Sequence, residues 1–174
     1  LIGIPVLTGA TMRLPLGVLT DKYGGRTVLT VTMLLSALPM YLLSHADHYW
    51  EFLLASLGFG LTGAIFAAGV AYVSMWYPKE KQGLVLGIFG VGNAGVAITA
   101  FGAPLVLTVL SGDGATADGW RTLPKLYAAA LIVTAVLFFL LTESRRSIDS
   151  QGVSMGRRLQ PLRDIRVWRF GLYY

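Results

Sequence analysis

One cation stands inside an apolar run of the sequence. Arg13 lies eight residues before Asp21, where the first polar segment begins, so a helix places it about 12 Å inside the run. A cation buried in a membrane costs about 2.5–3.5 kcal/mol on insertion scales, and it therefore needs an anion, an acidic partner or water. The guanidinium group is a planar fork of donors suited to carboxylates and oxyanions. Arg13 is a candidate anion ligand, with snorkelling or pairing to an acid elsewhere as the alternative.

Two further residues lie at a similar depth on other apolar runs. Phe66 precedes Pro78 by 12 residues and Asn93 follows Gln82 by 11 residues, which are helical distances of about 18 Å and about 16 Å. An asparagine amide in hydrocarbon needs a hydrogen-bond partner and so faces the interior of a helix bundle. Together with Arg13, these two residues indicate a substrate site. The alternatives are an interhelical hydrogen bond for Asn93 and packing or a lipid-facing position for Phe66.

The remaining patterns do not indicate an enzyme. The run from Gly90 to Gly95 matches G-x-G-x-x-G, but it lies within an apolar run and lacks the preceding strand that a dinucleotide site requires. His45 and His48 share a short loop, where loop polarity is a simpler explanation than a metal site. The chain has no cysteine, and no nucleophile–base pair or carboxylate dyad lies at membrane depth. We therefore expect no cofactor, no metal and no catalytic residue.

The composition predicts an all-α polytopic membrane protein. Of 174 residues, 55% are hydrophobic and only 13% are charged, whereas soluble domains have about 25% charged residues. The apolar runs lack the period-2 alternation of barrel strands and have about the 20 residues needed to span a bilayer. The predicted spans, named helices A to E, are 1–20, 27–44, 50–77, 83–110 and 122–142.

The basic residues indicate how these spans are oriented. Lys and Arg concentrate in the A–B loop, in the C–D loop and after helix E, whereas the other side has only Arg121 and Lys125. By the positive-inside rule, helices A, C and E end in the cytoplasm. The net charge of +5 then belongs to a solvated face of a membrane protein and not to a nucleic-acid site.

The segments after helix E predict that the sequence is part of a longer protein. Residues 1–142 hold the five spans, 143–166 are a basic cytoplasmic linker and 167–174 resemble the start of another span. The sequence begins with Leu1 inside an apolar run. We expect the partners of the chain to include the lipid bilayer and a C-terminal half of the same protein.

Glycine and alanine are frequent on helices C and D. Small residues let membrane helices approach closely, and a glycine in a helix otherwise costs up to about 1 kcal/mol relative to alanine. The pattern predicts close backbone contact in which helices C and D slide or rock, with ordinary helix packing as the alternative.

The sequence GVLTDKYGGR, from Gly17 to Arg26, resembles the loop motif of the major facilitator superfamily, G-x-x-x-D-[RK]-x-G-[RK]-[RK]. It departs from the motif at Gly25, where the motif has a base. The resemblance implies that helices A to E are the second to sixth helices of a major facilitator fold and that 167–174 begin the seventh. It implies a conformational gate made of Gly17, Asp21, Lys22, Gly24 and Arg26.

A second segment resembles a narrower family. The sequences WYPKEKQG (76–83) and GIFGVGNAG (87–95) are similar to the nitrate signature of the nitrate/nitrite porter family. The resemblance implies that Arg13 holds the substrate anion, that Asn93 is the signature asparagine beside Gly92, and that Phe66 packs on the anion. It further implies a bacterial inner-membrane protein that transports nitrate or nitrite by alternating access.

The coupling is left open between two forms. The sequence has no acid or histidine at the depth of Arg13, which favours nitrate/nitrite exchange, whereas residues 68–74 are more similar to the proton-coupled branch and favour symport, with protons as a further partner. The alternatives are a facilitator for another anion, such as an organic carboxylate, and a transporter-like receptor that binds without flux.

Overall fold

The computed structural model describes residues 3–111, 119–144, 164–166 and 169. Over these residues the chain is almost entirely helical and contains no strand. The expected linker and the start of a further span, 143–166 and 167–174, lie almost wholly outside the described residues. The helices are α1 (Gly3–Tyr23), α2 (Gly25–Leu43), α3 (Tyr49–Phe59), α4 (Leu61–Ser74), α5 (Lys79–Gly90), α6 (Ala94–Ser111) and α7 (Thr122–Leu141).

Four helical segments of the described chain are long and apolar enough to cross a membrane. They are Gly25–Leu43, Tyr49–Ser74, Lys79–Val109 and Gly119–Leu141, and they correspond to predicted helices B, C, D and E. The all-α membrane fold is therefore confirmed. Helix α1 has 21 residues, enough to span about 30 Å, but it is not among the four, and its span stays a prediction.

The first turn is shorter than the sequence predicted. Helices A and B were expected to end near residue 20 and to begin near residue 27, whereas α1 continues to Tyr23 and α2 begins at Gly25. Gly24 alone reverses the chain, with φ 88° and ψ 144°, a conformation that is essentially restricted to glycine. The Gly24 N–H donates to the Thr20 carbonyl at 2.9 Å. A single glycine therefore replaces the expected loop.

Predicted helices C and D are each interrupted. Gly60 separates α3 from α4, and a 3₁₀ turn at Val91–Asn93 separates α5 from α6. Both interruptions lie among glycines, which have low helix propensity. At the first one, the Thr62 hydroxyl also donates to the Phe59 carbonyl at 2.7 Å, a local bond that competes with regular helix geometry.

Helix α2 lies at the centre of the bundle and contacts α1, α3, α4 and α7, while α1 packs along α4. The core cluster joins α1, α2 and α4, and Phe138 of α7 packs against it. Its buried residues are Leu16, Val28, Leu29, Ala64, Ala68 and Tyr72. Burial of these side chains holds the A–B turn against helices C and E.

The glycine contacts differ from those predicted. A Cβ on Gly9 of α1 would lie 2.9 Å from the Gly60 carbonyl oxygen and 3.4 Å from the Gly63 Cα, so α1 and helix C touch at backbone level. In contrast, a Cβ on any glycine of helix D within the described residues would meet nothing within 4 Å. The prediction of close C–D contact through glycines of both helices is therefore wrong for helix D. Of the helix C glycines, Gly60 and Gly63 lie against α1, whereas Gly69 lies against the Phe89 side chain of helix D.

Arg121, an exception to the charge pattern, has a structural explanation at the end of the bundle opposite the A–B turn. It lies just before α7 and forms an ion pair with Asp47 of the α2–α3 loop. It also donates to the Ser44 carbonyl at 3.2 Å. Phe52 packs on the neighbouring Trp120 with ring centroids 5.7 Å apart. These contacts join the C-terminal end of α2 to the N-terminal ends of α3 and α7.

Candidate functional site

Arg13 lines a cavity between α1 and helix C. The cavity has a volume of about 290 Å³, and Arg13 makes no hydrogen bond or ion pair within the part of the chain that the structure describes. Gly9 lies four residues earlier on the same face of α1, so the Gly9–Gly60 contact brings Arg13 beside helix C. The lining residues are Pro5, Val6, Gly9, Ala10, Arg13, Phe59, Gly60, Thr62 and Gly63.

Phe66 lies on α4, just beyond this cavity. Thr62 and Gly63 line the cavity and are four and three residues before Phe66, which places all three on the same face of the helix. The Phe66 side chain is 39% exposed. Its ring packs on Phe89 of α5 with centroids 5.3 Å apart and an interplanar angle of 32°. One face of the aromatic ring is therefore occupied by a second ring from helix D.

Asn93 and Gly92 lie in the 3₁₀ turn between α5 and α6. Both residues are exposed, and a Cβ on Gly92 would meet nothing within 4 Å. Over the described ranges, no hydrogen bond, ion pair or ring contact joins Arg13, Phe66 and Asn93. The structure therefore places the three candidate residues on three helices without bringing them into contact.

The candidate gating residues form the A–B turn and its two flanking helical turns. Gly17, Asp21 and Lys22 belong to the C-terminal part of α1, Gly24 makes the reversal, and Arg26 follows in the first turn of α2. The space around Gly17 is open, since an added Cβ would meet nothing within 4 Å. The motif therefore forms a tight corner between two helices, and Gly17 leaves open space on its α1 side.

Arg26 connects this corner to α7. Its guanidinium carbon lies 4.0 Å from the centroid of the Phe139 ring, a cation–π arrangement. Its Nε is buried without a hydrogen-bond partner in the described part of the chain. The side chain therefore docks on α7 through the aromatic ring and not through an acid.

Tyr72 is a residue of this corner that the sequence did not single out. Its ring lies directly on Gly25, where an added Cβ would be 2.2 Å from Cδ2. Its hydroxyl donates to the Glu143 carbonyl at 2.5 Å, and its ring packs edge-on against Phe138. The absence of a base at Gly25, where the sequence departs from the motif, was the signal for this contact, because a larger residue would displace the ring.

Arg13 determines the charge of the cavity lining. The Arg13 cavity combines one cation with apolar walls and contains no Asp, Glu or His among its lining residues. No group of three His, Cys, Asp or Glu residues comes together within the described ranges. The His45 Nδ1 and the Ser44 hydroxyl form a hydrogen bond of 2.9 Å, so the imidazole has a polar partner within its own loop.

Comparison with known proteins identifies the family of the chain. The family model described as "Major Facilitator Superfamily" matches residues 1–172. The chain is 39% identical to the "Probable nitrate/nitrite antiporter NarK1" of Thermus thermophilus, over 98% of this chain and 40% of that protein. It is 34% identical to the "Nitrite extrusion protein" of Bacillus subtilis (strain 168), over 98% of this chain and 41% of that protein.

A third relative is the "Probable nitrate transporter NarT" of Staphylococcus carnosus (strain TM300), which is 32% identical over 99% of this chain and 42% of that protein. The chain thus spans about two fifths of the length of the curated relatives it matches. No solved structure matches the chain significantly. With four apolar helices able to span a bilayer and a family match over 1–172, the chain is part of a multi-pass membrane protein and belongs to the Major Facilitator Superfamily.

Proposed function

We propose that the protein to which this chain belongs transports nitrate and nitrite across the bacterial inner membrane by alternating access. The observation that carries the proposal is Arg13, an unpaired cation midway along α1 that lines a cavity without any acidic residue. Three relatives named for nitrate or nitrite transport support the choice of anion.

In this proposal Arg13 neutralises the anion and orients it through its planar fork of donors. Phe66 presents the edge of its ring to the anion, where an aromatic quadrupole is positive, and the Asn93 amide donates a hydrogen bond from the turn that includes Gly92. The second half of the protein closes over the site, and the corner at Gly17, Asp21, Lys22, Gly24 and Arg26 forms the cytoplasmic gate between the halves.

The first test is uptake of labelled nitrate by the full-length protein in proteoliposomes, with wild type compared with Arg13→Lys. Lysine keeps the charge but loses the fork, so we expect uptake to fall about 10- to 150-fold, because a hydrogen bond to a charged group contributes about 1.5–3 kcal/mol. Arg121→Lys is the matched control, since Arg121 lies in the outer ion pair with Asp47.

The same assay separates the forms of coupling. Stimulation by internal nitrite at constant pH indicates exchange, whereas stimulation by an inward proton gradient without internal nitrite indicates symport. A wild-type protein that moves neither anion under any gradient would refute the proposal and favour transport of another anion, such as an organic carboxylate, or a receptor role. Equal uptake by wild type and Arg13→Lys would remove Arg13 from the site.

A further inference from the structure

Phe89 forms the ring contact between helices C and D. In α5 its ring packs on Phe66 and simultaneously covers Gly69 of α4, where an added Cβ would lie 2.5 Å from the Phe89 Cζ and 3.2 Å from Cε2. Gly69 is itself buried. The aromatic ring therefore lies against the α4 backbone, in a place that only a glycine leaves free.

Helix D has few other attachments to the bundle. None of the span Lys79–Val109 is buried inside the structure, and its glycines face open space. At its cytoplasmic end the Gln82 amide donates to the Ser74 and Tyr77 carbonyls at 3.0 and 3.2 Å, and α6 contacts α7 farther along. Between these ends, Phe89 makes an aromatic contact with helix C and lies against Gly69.

The position of Phe89 relates this contact to the proposed anion site. Asn93 follows Phe89 by four residues, through the 3₁₀ turn at Val91–Asn93, and Phe66 is the direct partner of the Phe89 ring. Phe89 therefore contacts one of the three candidate ligands and lies four residues from another on the same helical segment.

We propose that Phe89, seated on Gly69, is a positioning residue that fixes Phe66 and Asn93 at the spacing required for anion binding. The inference rests on the proposed function, because it assigns Phe89 to that site. It goes beyond that function in assigning a role to a residue that does not itself contact the anion. Gly69 is part of the same arrangement, because any side chain at that position would displace the Phe89 ring.

The transport arm of the test measures nitrate uptake kinetics of the full-length protein with Phe89→Ala, Phe89→Leu and Gly69→Ala. We expect KM for nitrate to rise about tenfold in Phe89→Ala and Gly69→Ala, with the maximal rate within about twofold of wild type, because loss of the aromatic pair weakens anion binding. Phe89→Leu keeps an apolar contact and should give an intermediate KM.

The matched control is Phe101→Ala. Phe101 is another phenylalanine of helix D, 81% exposed and without a ring contact in the described chain. Its replacement should leave KM unchanged. The control therefore separates a general effect of removing any ring from helix D from the specific loss of the Phe89 ring that lies against Gly69.

The structural arm measures the distance between helices C and D without reference to transport. Spin labels on cysteines introduced at Leu54 of α3 and Ile98 of α6 lie at exposed positions, and the 174 residues contain no native cysteine. We expect the distance distribution to lengthen and broaden in Phe89→Ala and Gly69→Ala, and to stay as in wild type in Phe101→Ala.

The two arms separate the outcomes. If wild type transports nitrate and Phe89→Ala changes neither KM nor distance, the inference fails while the proposed function stands. If the distance changes but KM does not, Phe89 is a packing residue only, and its positioning role is overturned. If wild type transports neither nitrate nor nitrite, the proposed function fails and the role of Phe89 in anion binding fails with it.

Discussion

Gly24 and Gly25 show how two adjacent glycines meet different physical requirements. Gly24 supplies a backbone conformation, φ 88° and ψ 144°, that other residues adopt only at a cost of about 1–3 kcal/mol. Gly25 has an ordinary helical position, but the ring of Tyr72 occupies the space of its missing side chain. The corner between α1 and α2 therefore depends on glycine first for the turn and then for packing.

Substitution of Gly25 by alanine is expected to destabilise the protein by about 1–3 kcal/mol, the usual cost of overpacking a filled site. The added methyl would lie 2.2 Å from Cδ2 of the buried Tyr72 ring. Thermal unfolding of the full-length protein in detergent measures the loss as a lower Tm. Gly83→Ala is the control, because Gly83 faces open space, and an equal Tm for the two variants would contradict the packing argument.

Among the helices, the Asp47–Arg121 ion pair between the α2–α3 loop and the start of α7 contributes little to stability. Asp47 is 65% exposed at the side chain, and exposed ion pairs contribute about 0.2–1 kcal/mol. Arg121 has additional contacts, since it donates to Ser44 and lies 5.1 Å from the Trp120 ring centroid. Arg121 therefore contributes more than Asp47 to the contacts that hold the α2–α3 loop against the start of α7.

A double-mutant cycle with Asp47→Ala and Arg121→Ala tests this asymmetry. We expect a coupling free energy of about 0.2–1 kcal/mol and a larger loss of stability for Arg121→Ala than for Asp47→Ala. Thermal unfolding in detergent provides the four stabilities. A coupling energy well above 2 kcal/mol, or a larger loss for Asp47→Ala, would show that the ion pair dominates.

The helices were predictable because each is a long apolar run, but their interruptions were not. Apolar residues continue on both sides of Gly60, whereas at the break itself the α1 backbone lies against Gly60 and the Thr62 hydroxyl donates to the Phe59 carbonyl. Likewise, the extension of α1 to Tyr23 depends on Gly24 alone. Such features come from contacts between distant segments and from single torsion angles, which an apolar pattern does not contain.

For the whole molecule, the arrangement of charges predicts one orientation in the membrane. Lys79, at the start of α5, belongs to the basic side, and His48, just before α3, belongs to the other side. We expect a cysteine at His48 to react with a membrane-impermeant thiol reagent added to intact cells, and a cysteine at Lys79 to react only after permeabilisation. Labelling in the opposite order would show that the chain is inverted.

The candidate site rests on depth along each apolar run, which selected Arg13, Phe66 and Asn93. The structure places Arg13 at a cavity, and the role of the three residues as one site stays a prediction. Depth carries no information about which face of a helix a residue occupies or which neighbour it meets. The Phe66–Phe89 contact and the seat on Gly69 therefore required coordinates, as did the finding that Arg13, Phe66 and Asn93 do not touch one another.

Because Gly24 is the single residue between α1 and α2, a change in its backbone torsion angles changes the angle between the two helices directly. Arg13 is 11 residues from this pivot, about 16 Å along the helix axis. A rotation of α1 by about 10° at Gly24 therefore carries the guanidinium group about 3 Å, which is the length of one hydrogen bond. A small change of angle at the α1–α2 corner is enough to make or break a contact of Arg13.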